Sequence, residues 1–299
     1  MRYYFSKVLL LMLVIGLGWS IFADSVSVKT RAPSNREAVF QYRVPKGYDA
    51  KRREQYRVLV IFGGRNTTGK ADASGRMGWG KWCDDNGIFI VAPGLTNDDY
   101  WEPQDWSGRA LQKALAQLKK EYNICETKLL FYGYSAGSQA SNLFPAWRPE
   151  MTRAWVSHAC GVFHEPSNRM NNVPGLVTCG DADKARYIIS RNFVEKSRKK
   201  GADIIWKSFP NHPHDVPPDS LKLARAFLGY YHELHKGDLT GWGSRMSDKT
   251  SIAYVGDDQE HKYYPIRSAK AKNVLSEDRV EFPDKTIADA WGASGEVGK

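Results

Sequence analysis

Six short runs of large apolar residues, separated by stretches with helical spacing, constrain this chain more than any other feature. They are YRVLVIFGG (56–64), GIFIVAPG (87–94), KLLFYGYS (128–135), RAWVSHACG (153–161), GLVTCGD (175–181) and ADIIWKSFP (202–210). Near-continuous apolar character is what a strand needs when both of its faces are buried, as in a parallel sheet. Between the runs, Leu111, Ala114, Leu115, Leu118 and Tyr122 share one helical face, with Asp105 placed to cap it. KARYIISRNFVEKSRKKG reads as a second helix stopped by Gly201. PDSLKLARAFLGYYHELHKG reads as a third, capped by Asp219 or Ser220 and closed near Gly237. Strands alternating with helices predict an α/β fold with a doubly wound, mostly parallel sheet. At 299 residues with 12% aromatics, the chain can bury a core of that size as one main domain.

The amino terminus follows a different pattern. Arg2 and Lys7 flank the start of an apolar run from Val8 to Phe22, and Ala23 separates it from a polar stretch. Residues 1–23 therefore read as a secretory signal cleaved after Ala23, since the run falls short of the roughly 20 residues that a spanning helix needs. The expectation is a periplasmic or secreted protein with no stable membrane insertion after cleavage. The formal charge is +10, or +8 without Arg2 and Lys7. The basic residues are dispersed, and the densest cluster, EKSRKK (195–200), sits where a helix end accommodates cations. Nucleic acid is not expected as a partner. Cys83, Cys125, Cys160 and Cys179 lack a C-x-x-C pair, which argues against a zinc cluster. An exported chain permits one or two disulfides, with buried free thiols as the alternative, and at least one disulfide is expected. Cys160 and Cys179, which end consecutive predicted strands, are the preferred pair.

The chemistry is carried by LLFYGYSAGSQAS (129–141), where Gly133, Tyr134, Ser135, Ala136 and Gly137 spell Gly-x-Ser-x-Gly between a strand and a short helix. A nucleophile elbow has that context, with small residues clearing a sharp turn that projects the serine hydroxyl. Serine is a weak nucleophile at neutral pH and needs a base held by a third group. In such a fold the acid and the histidine follow the serine in chain order. Asp181 and Asp183 follow LVTCG, and His212 and His214 lie in NHPHDVPP after the sixth run. The amide of Ala136 is the expected first donor to a developing oxyanion.

With these motifs the chain resembles the α/β-hydrolase superfamily, and within it exported esterases related to polyhydroxybutyrate depolymerases and to feruloyl or acetylxylan esterases. The resemblance covers residues 38–235 and rests on the elbow, on Gly-x-x-Asp in GDAD and on His-x-x-Pro in HDVP. It implies Asp183 as the acid and His214 as the base, with Asp181 as a loop carboxylate and His212 as a rim imidazole. It also implies a second oxyanion donor in FGGRNTTG. This chain has Phe62-Gly63-Gly64 where the family more often has His-Gly-Gly, which leaves that donor between Gly64 and Arg65.

His212-x-His214 offers two imidazoles but no third ligand at a recognisable spacing, so neither metal nor cofactor is implied. Trp101 and Trp106 follow the second run on the same sheet edge as the triad, where they either line a substrate pocket or pack a loop. Residues 236–299 lack a long periodic stretch yet carry Trp242, Tyr254, Tyr263, Tyr264, Phe282 and Trp291, and read as an extension packed on the main domain. The expected function is ester hydrolysis through Ser135, His214 and Asp183 on short acyl or aromatic esters, including ones linked to a polysaccharide. The alternatives are a serine exopeptidase on the same fold and a non-catalytic surface or carbohydrate-binding protein.

Overall fold

The computed structural model describes residues 24–29, 36–94, 102–234 and 251–295. Its elements begin with β1 (Asp24–Lys29), β2 (Glu37–Arg43), β3 (Arg57–Phe62), α1 (Lys70–Ala73), α2 (Trp79–Asn86), β4 (Ile88–Pro93) and α3 (Ser107–Leu118). They continue with β5 (Leu129–Tyr134), α4 (Ala136–Trp147), β6 (Thr152–His158), β7 (Gly175–Gly180), α5 (Lys184–Lys199), β8 (Ile204–Phe209) and α6 (Pro218–Glu233). After these come β9 (Tyr254–Asp257), β10 (Lys262–Pro265), α7 (Ala269–Asn273), β11 (Arg279–Phe282), α8 (Lys285–Trp291) and β12 (Ala293–Ser294).

All six predicted strands form. β3 to β8 run parallel, and β2 and β1 add an antiparallel edge, in the order β1-β2-β4-β3-β5-β6-β7-β8. The alternation of side chains explains their unbroken apolar character. Val58, Val60 and Phe62 of β3 join one core with Leu111 of α3, Phe144 of α4 and Phe193 of α5. Leu59 and Ile61 join the opposite core with Trp79 of α2, Phe227 of α6 and Trp291 of α8. A strand between two helical layers has no solvent face to keep polar.

Two local expectations are corrected. Asp105 does not cap α3, because the helix begins at Ser107 with Trp106 in the cap position and no side-chain cap bond. Likewise α6 begins at Pro218, ahead of Asp219 and Ser220. Proline suits that first position because its missing N–H would have had no partner there. The expected disulfide is also absent, since all four cysteines are free and buried. Cys83 and Cys179 lie in cores on opposite faces of the sheet. The β6–β7 register pairs His158 with Thr178, so Cys179 falls opposite Ala159, and Cys160 lies one residue beyond a backbone turned to φ 53°. Burial pushes both the Cys160 and Cys179 thiols up to about 12, which keeps them protonated and unreactive.

Within the carboxyl-terminal segment, described residues 251–295 place Phe282, Ile287 and Trp291 in the second core and form a small sheet of their own in the order β11-β9-β10-β12. Strands of two to four residues are too short to show a period in sequence. The extension covers β8, the strand that ends the main sheet. Trp291 Nε1 donates to the Trp206 carbonyl at 2.7 Å, Trp206 Nε1 donates to Asp258 Oδ2 at 3.0 Å, and Arg191 pairs with that same oxygen at 2.6 Å. An edge strand has unpaired backbone groups, and covering it removes a template for pairing with other chains.

The elbow between β5 and α4 is tightly packed and positions the site. A Cβ on Gly137 would fall on the carbonyl oxygens of Phe62 and Gly63 at the end of β3. One on Gly133 would meet Ser141 Oγ at 2.6 Å and the Gly137 carbonyl. Both glycines are therefore required by space.

Three stability outcomes are expected. Gly137→Ala should destabilise the fold by roughly 3 kcal/mol or more, the upper end of overpacking costs. Gly161→Ala, whose added carbon would meet nothing nearer than 3.7 Å, should be close to neutral. Trp291→Ala should cost about 3–5 kcal/mol, as loss of a large buried aromatic does. Urea unfolding monitored by circular dichroism measures all three, and a Gly137→Ala protein as stable as wild type contradicts the packing account.

Candidate active site

The predicted nucleophile, acid and base come from three loops at one edge of the sheet. β5, β7 and β8 are parallel, so the segments that follow them leave from the same side. Ser135 follows β5 directly, with φ 56° and ψ −123°. A β-carbon residue rarely adopts a positive φ, and such a backbone persists where surrounding contacts over-determine it. Here the Ser135 amide donates to the His158 carbonyl at 3.0 Å, and the Ser135 carbonyl accepts from the Ser138 amide at 3.0 Å and from the Ser138 hydroxyl.

Asp183 is three residues beyond β7, occupies the N-cap position of α5 and is 8% exposed. The positive end of a helix dipole favours a carboxylate at that position. His214 lies in the segment between β8 and α6. Its Nδ1 is 2.7 Å from Asp183 Oδ2 and its Nε2 is 2.7 Å from Ser135 Oγ. An ionised carboxylate only accepts, so Nδ1 carries the proton, and Nε2 is left to accept from the serine hydroxyl. This arrangement can draw a proton from Ser135 and hold the resulting imidazolium against a buried carboxylate. The neighbouring candidates sit elsewhere: Asp181 Oδ1 accepts from the Asn211 amide at 2.7 Å, and His212 Nδ1 is 3.1 Å from Asp215 Oδ2. The two imidazoles of H-x-H thus engage different carboxylates.

Ala136 is the first residue of α4, where an α-helix leaves amides without an internal acceptor. Gly64 lies against the nucleophile, and a Cβ added to it would be 3.6 Å from Ser135 Cβ and 3.3 Å from Tyr134 Cε1. Arg65 follows with an exposed side chain. Trp101 is outside the described residues. Trp106 is 8% exposed in the core beneath α3, with the Arg36 guanidinium 5.1 Å from its ring centroid. The substrate-lining reading of Trp106 is therefore replaced by a packing one, because α3 is pressed onto β1 and β2 at the far side of the sheet.

Three residues at the site were not singled out from sequence. Tyr134, the variable position before Ser135, stacks on His214 with ring centroids 5.5 Å apart and 26° between planes. Arg186 Nη1 donates to Asp183 Oδ1 at 3.1 Å, so the acid's second oxygen has its own partner. His158 ends β6 and is buried behind the nucleophile. The one sequence signal for His158 was a polar residue closing an otherwise apolar run.

No family model matches the sequence, and no curated protein does either. Solved structures do. A thermostable esterase superimposes with a TM-score of 0.55 at 18% identity over 71% of this chain, which spans 60% of that protein's chain. A ferulic acid esterase gives 0.53 at 15% identity, covering 66% of this chain and 92% of the other. An S-formylglutathione hydrolase from Agrobacterium tumefaciens gives 0.54 at 15% identity, covering 73% and 98%. At such identities the likeness is one of architecture, and together with the mostly parallel sheet and its flanking helices it establishes that this chain has the α/β-hydrolase fold.

Proposed function

We propose that the protein is an exported serine hydrolase that cleaves carboxylic esters through an acyl-enzyme. The observation that carries this reading is the pair of 2.7 Å contacts joining Ser135, His214 and Asp183 in one line. Ser135 Oγ attacks the substrate carbonyl as His214 Nε2 takes its proton, and Asp183 keeps the imidazole in the required tautomer. The Ala136 amide and an amide of the Gly64–Arg65 segment receive the oxyanion. Collapse of the intermediate breaks the bond to the alcohol, which leaves with the proton from His214. Water activated by the same imidazole then hydrolyses the acyl-serine and restores the enzyme.

Export is supported by the composition of residues 1–23. Cleavage after Ala23 leaves β1, which begins at Asp24, intact. No helix among the described residues is long and apolar enough to cross a membrane. For the substrate, the architectural likeness to a ferulic acid esterase and the family resemblance of the motifs favour short acyl or aromatic esters, including polysaccharide-linked ones. Trp101 remains the proposed aromatic contact for such a group.

Ser135→Ala and His214→Ala should each lower kcat by about 10⁴-fold or more, since the members of a triad act as a unit. Asp183→Asn should lower it by roughly 10³- to 10⁴-fold, whereas Asp181→Asn and His212→Ala should change it only a few-fold. Steady-state kinetics together with fluorophosphonate labelling of Ser135 decide this, and equal small effects at His214 and His212 refute the assignment.

A panel of acetylated xylan, methyl ferulate, hydroxybutyrate oligomers, p-nitrophenyl esters and dipeptide amides tests the substrate class. Turnover of the short and aromatic esters is expected, with Trp101→Ala raising KM more than it lowers kcat. Cleavage of the amides alone would establish an exopeptidase instead. No labelling and no turnover would leave a non-catalytic protein.

A further inference from the structure

His158 is a deeply buried titratable group near the site, and the proton movements described above do not use it. It is 1% exposed at the end of β6, paired across the sheet with Tyr134 on one side and Thr178 on the other. Its Nε2 is 2.8 Å from the Asp215 carbonyl oxygen, and its Nδ1 is 2.7 Å from Thr178 Oγ1. A carbonyl oxygen has no proton to give, so Nε2 must carry one. Burial lowers the His158 pKa to about 4, so the ring is neutral near pH 7. Nδ1 then has only a lone pair, and the Thr178 hydroxyl donates to it. The chain of bonds has a single direction: Thr178 hydroxyl to Nδ1, then Nε2–H to the Asp215 carbonyl.

Asp215 is the residue after His214, and its amide donates to the Pro213 carbonyl at 2.9 Å, closing a tight turn around the base. The Tyr134 hydroxyl reaches the His214 carbonyl at 3.4 Å. On its other side, the carbonyl of His158 itself accepts the Ser135 amide at 3.0 Å. One residue therefore touches the backbone of the nucleophile through its main chain and the backbone of the base's turn through its ring.

We infer that His158 is a positioning residue, which through its Nε2–H to the Asp215 carbonyl and its own carbonyl to the Ser135 amide sets the distance between His214 and Ser135. The inference rests on the proposed catalytic roles of those two residues. His158 does not touch the reacting atoms. It acts on the geometry of attack and not on substrate binding, so its loss reads in kcat. Leucine removes both ring contacts at similar bulk, whereas the amide of glutamine can place an N–H near the position of Nε2.

His158→Leu should lower kcat about 10- to 100-fold, the scale of a small misplacement of reacting groups. KM should stay within a few-fold, and the fluorophosphonate labelling rate should fall in parallel. His158→Gln should restore kcat to within several-fold of wild type. Thr178→Val, which removes the donor to Nδ1 and frees the ring to change tautomer, should show an intermediate loss, and it decides the matter if His158→Leu does not fold. Wild-type kcat in His158→Leu or Thr178→Val overturns the inference, as does an equal loss in the leucine and glutamine variants. If wild-type protein neither labels nor turns over any ester, the hydrolase reading itself has failed. Ring-nitrogen NMR of the wild type still judges the geometry in that case: the Nε2–H tautomer at His158 is expected, and an Nδ1–H tautomer overturns it.

Discussion

The close approach of α4 to the end of β3 at Gly137 is the contact on which the site depends. With no side chain at Gly137, the first turn of α4 comes against the carbonyls of Phe62 and Gly63. That approach forces the chain to leave β5 through a sharp turn, and the turn gives Ser135 its positive φ. The same contact brings Gly64 beside the nucleophile, so the loop proposed to receive the oxyanion and the group proposed to create it are set by one piece of packing. The clamp costs the chain a conformation that serine avoids, and hydrogen bonds to His158 and Ser138 hold it there.

Around this clamp, parallel strands do the remaining placement. β5, β6, β7 and β8 end at one edge, and each end contributes a part: Ser135, the buried His158 behind it, Asp183 and His214. Two polar networks lie within the apolar layers behind this edge. His158 bonds Thr178 and Asp215, and Ser141 bonds Ser157 and the Val156 carbonyl. Satisfied networks of this kind make a buried polar group tolerable and its geometry unique. At the far end of the sheet the extension closes β8 with Trp291, which bonds Trp206, and with Asp258, which pairs with Trp206 and Arg191.

Much of this was legible before any coordinates. The six apolar runs located all the strands of the parallel sheet because burial on two faces leaves no room for alternation. The Gly-x-Ser-x-Gly placement identified the turn, since only a close backbone approach demands glycine at both ends. What could not be read were features that depend on partners distant in the chain. Trp106 could have lined a pocket or packed a loop and packs beneath Arg36, the four buried thiols are free, and the short strands of the extension have no period to detect.

The sequence by itself determined the class of fold and the chain order of the proposed nucleophile, acid and base, because hydrophobic period and turn chemistry are local properties. Only the tertiary structure separated Asp183 from Asp181 and His214 from His212 by geometry. Adjacent residues in a loop are equivalent in composition, and the difference lies in which carboxylate and which imidazole meet at 2.7 Å. Tertiary structure alone also brought Tyr134, Arg186 and His158 to the site, since their partners lie across the sheet or on the next loop, beyond the reach of any pattern along the chain.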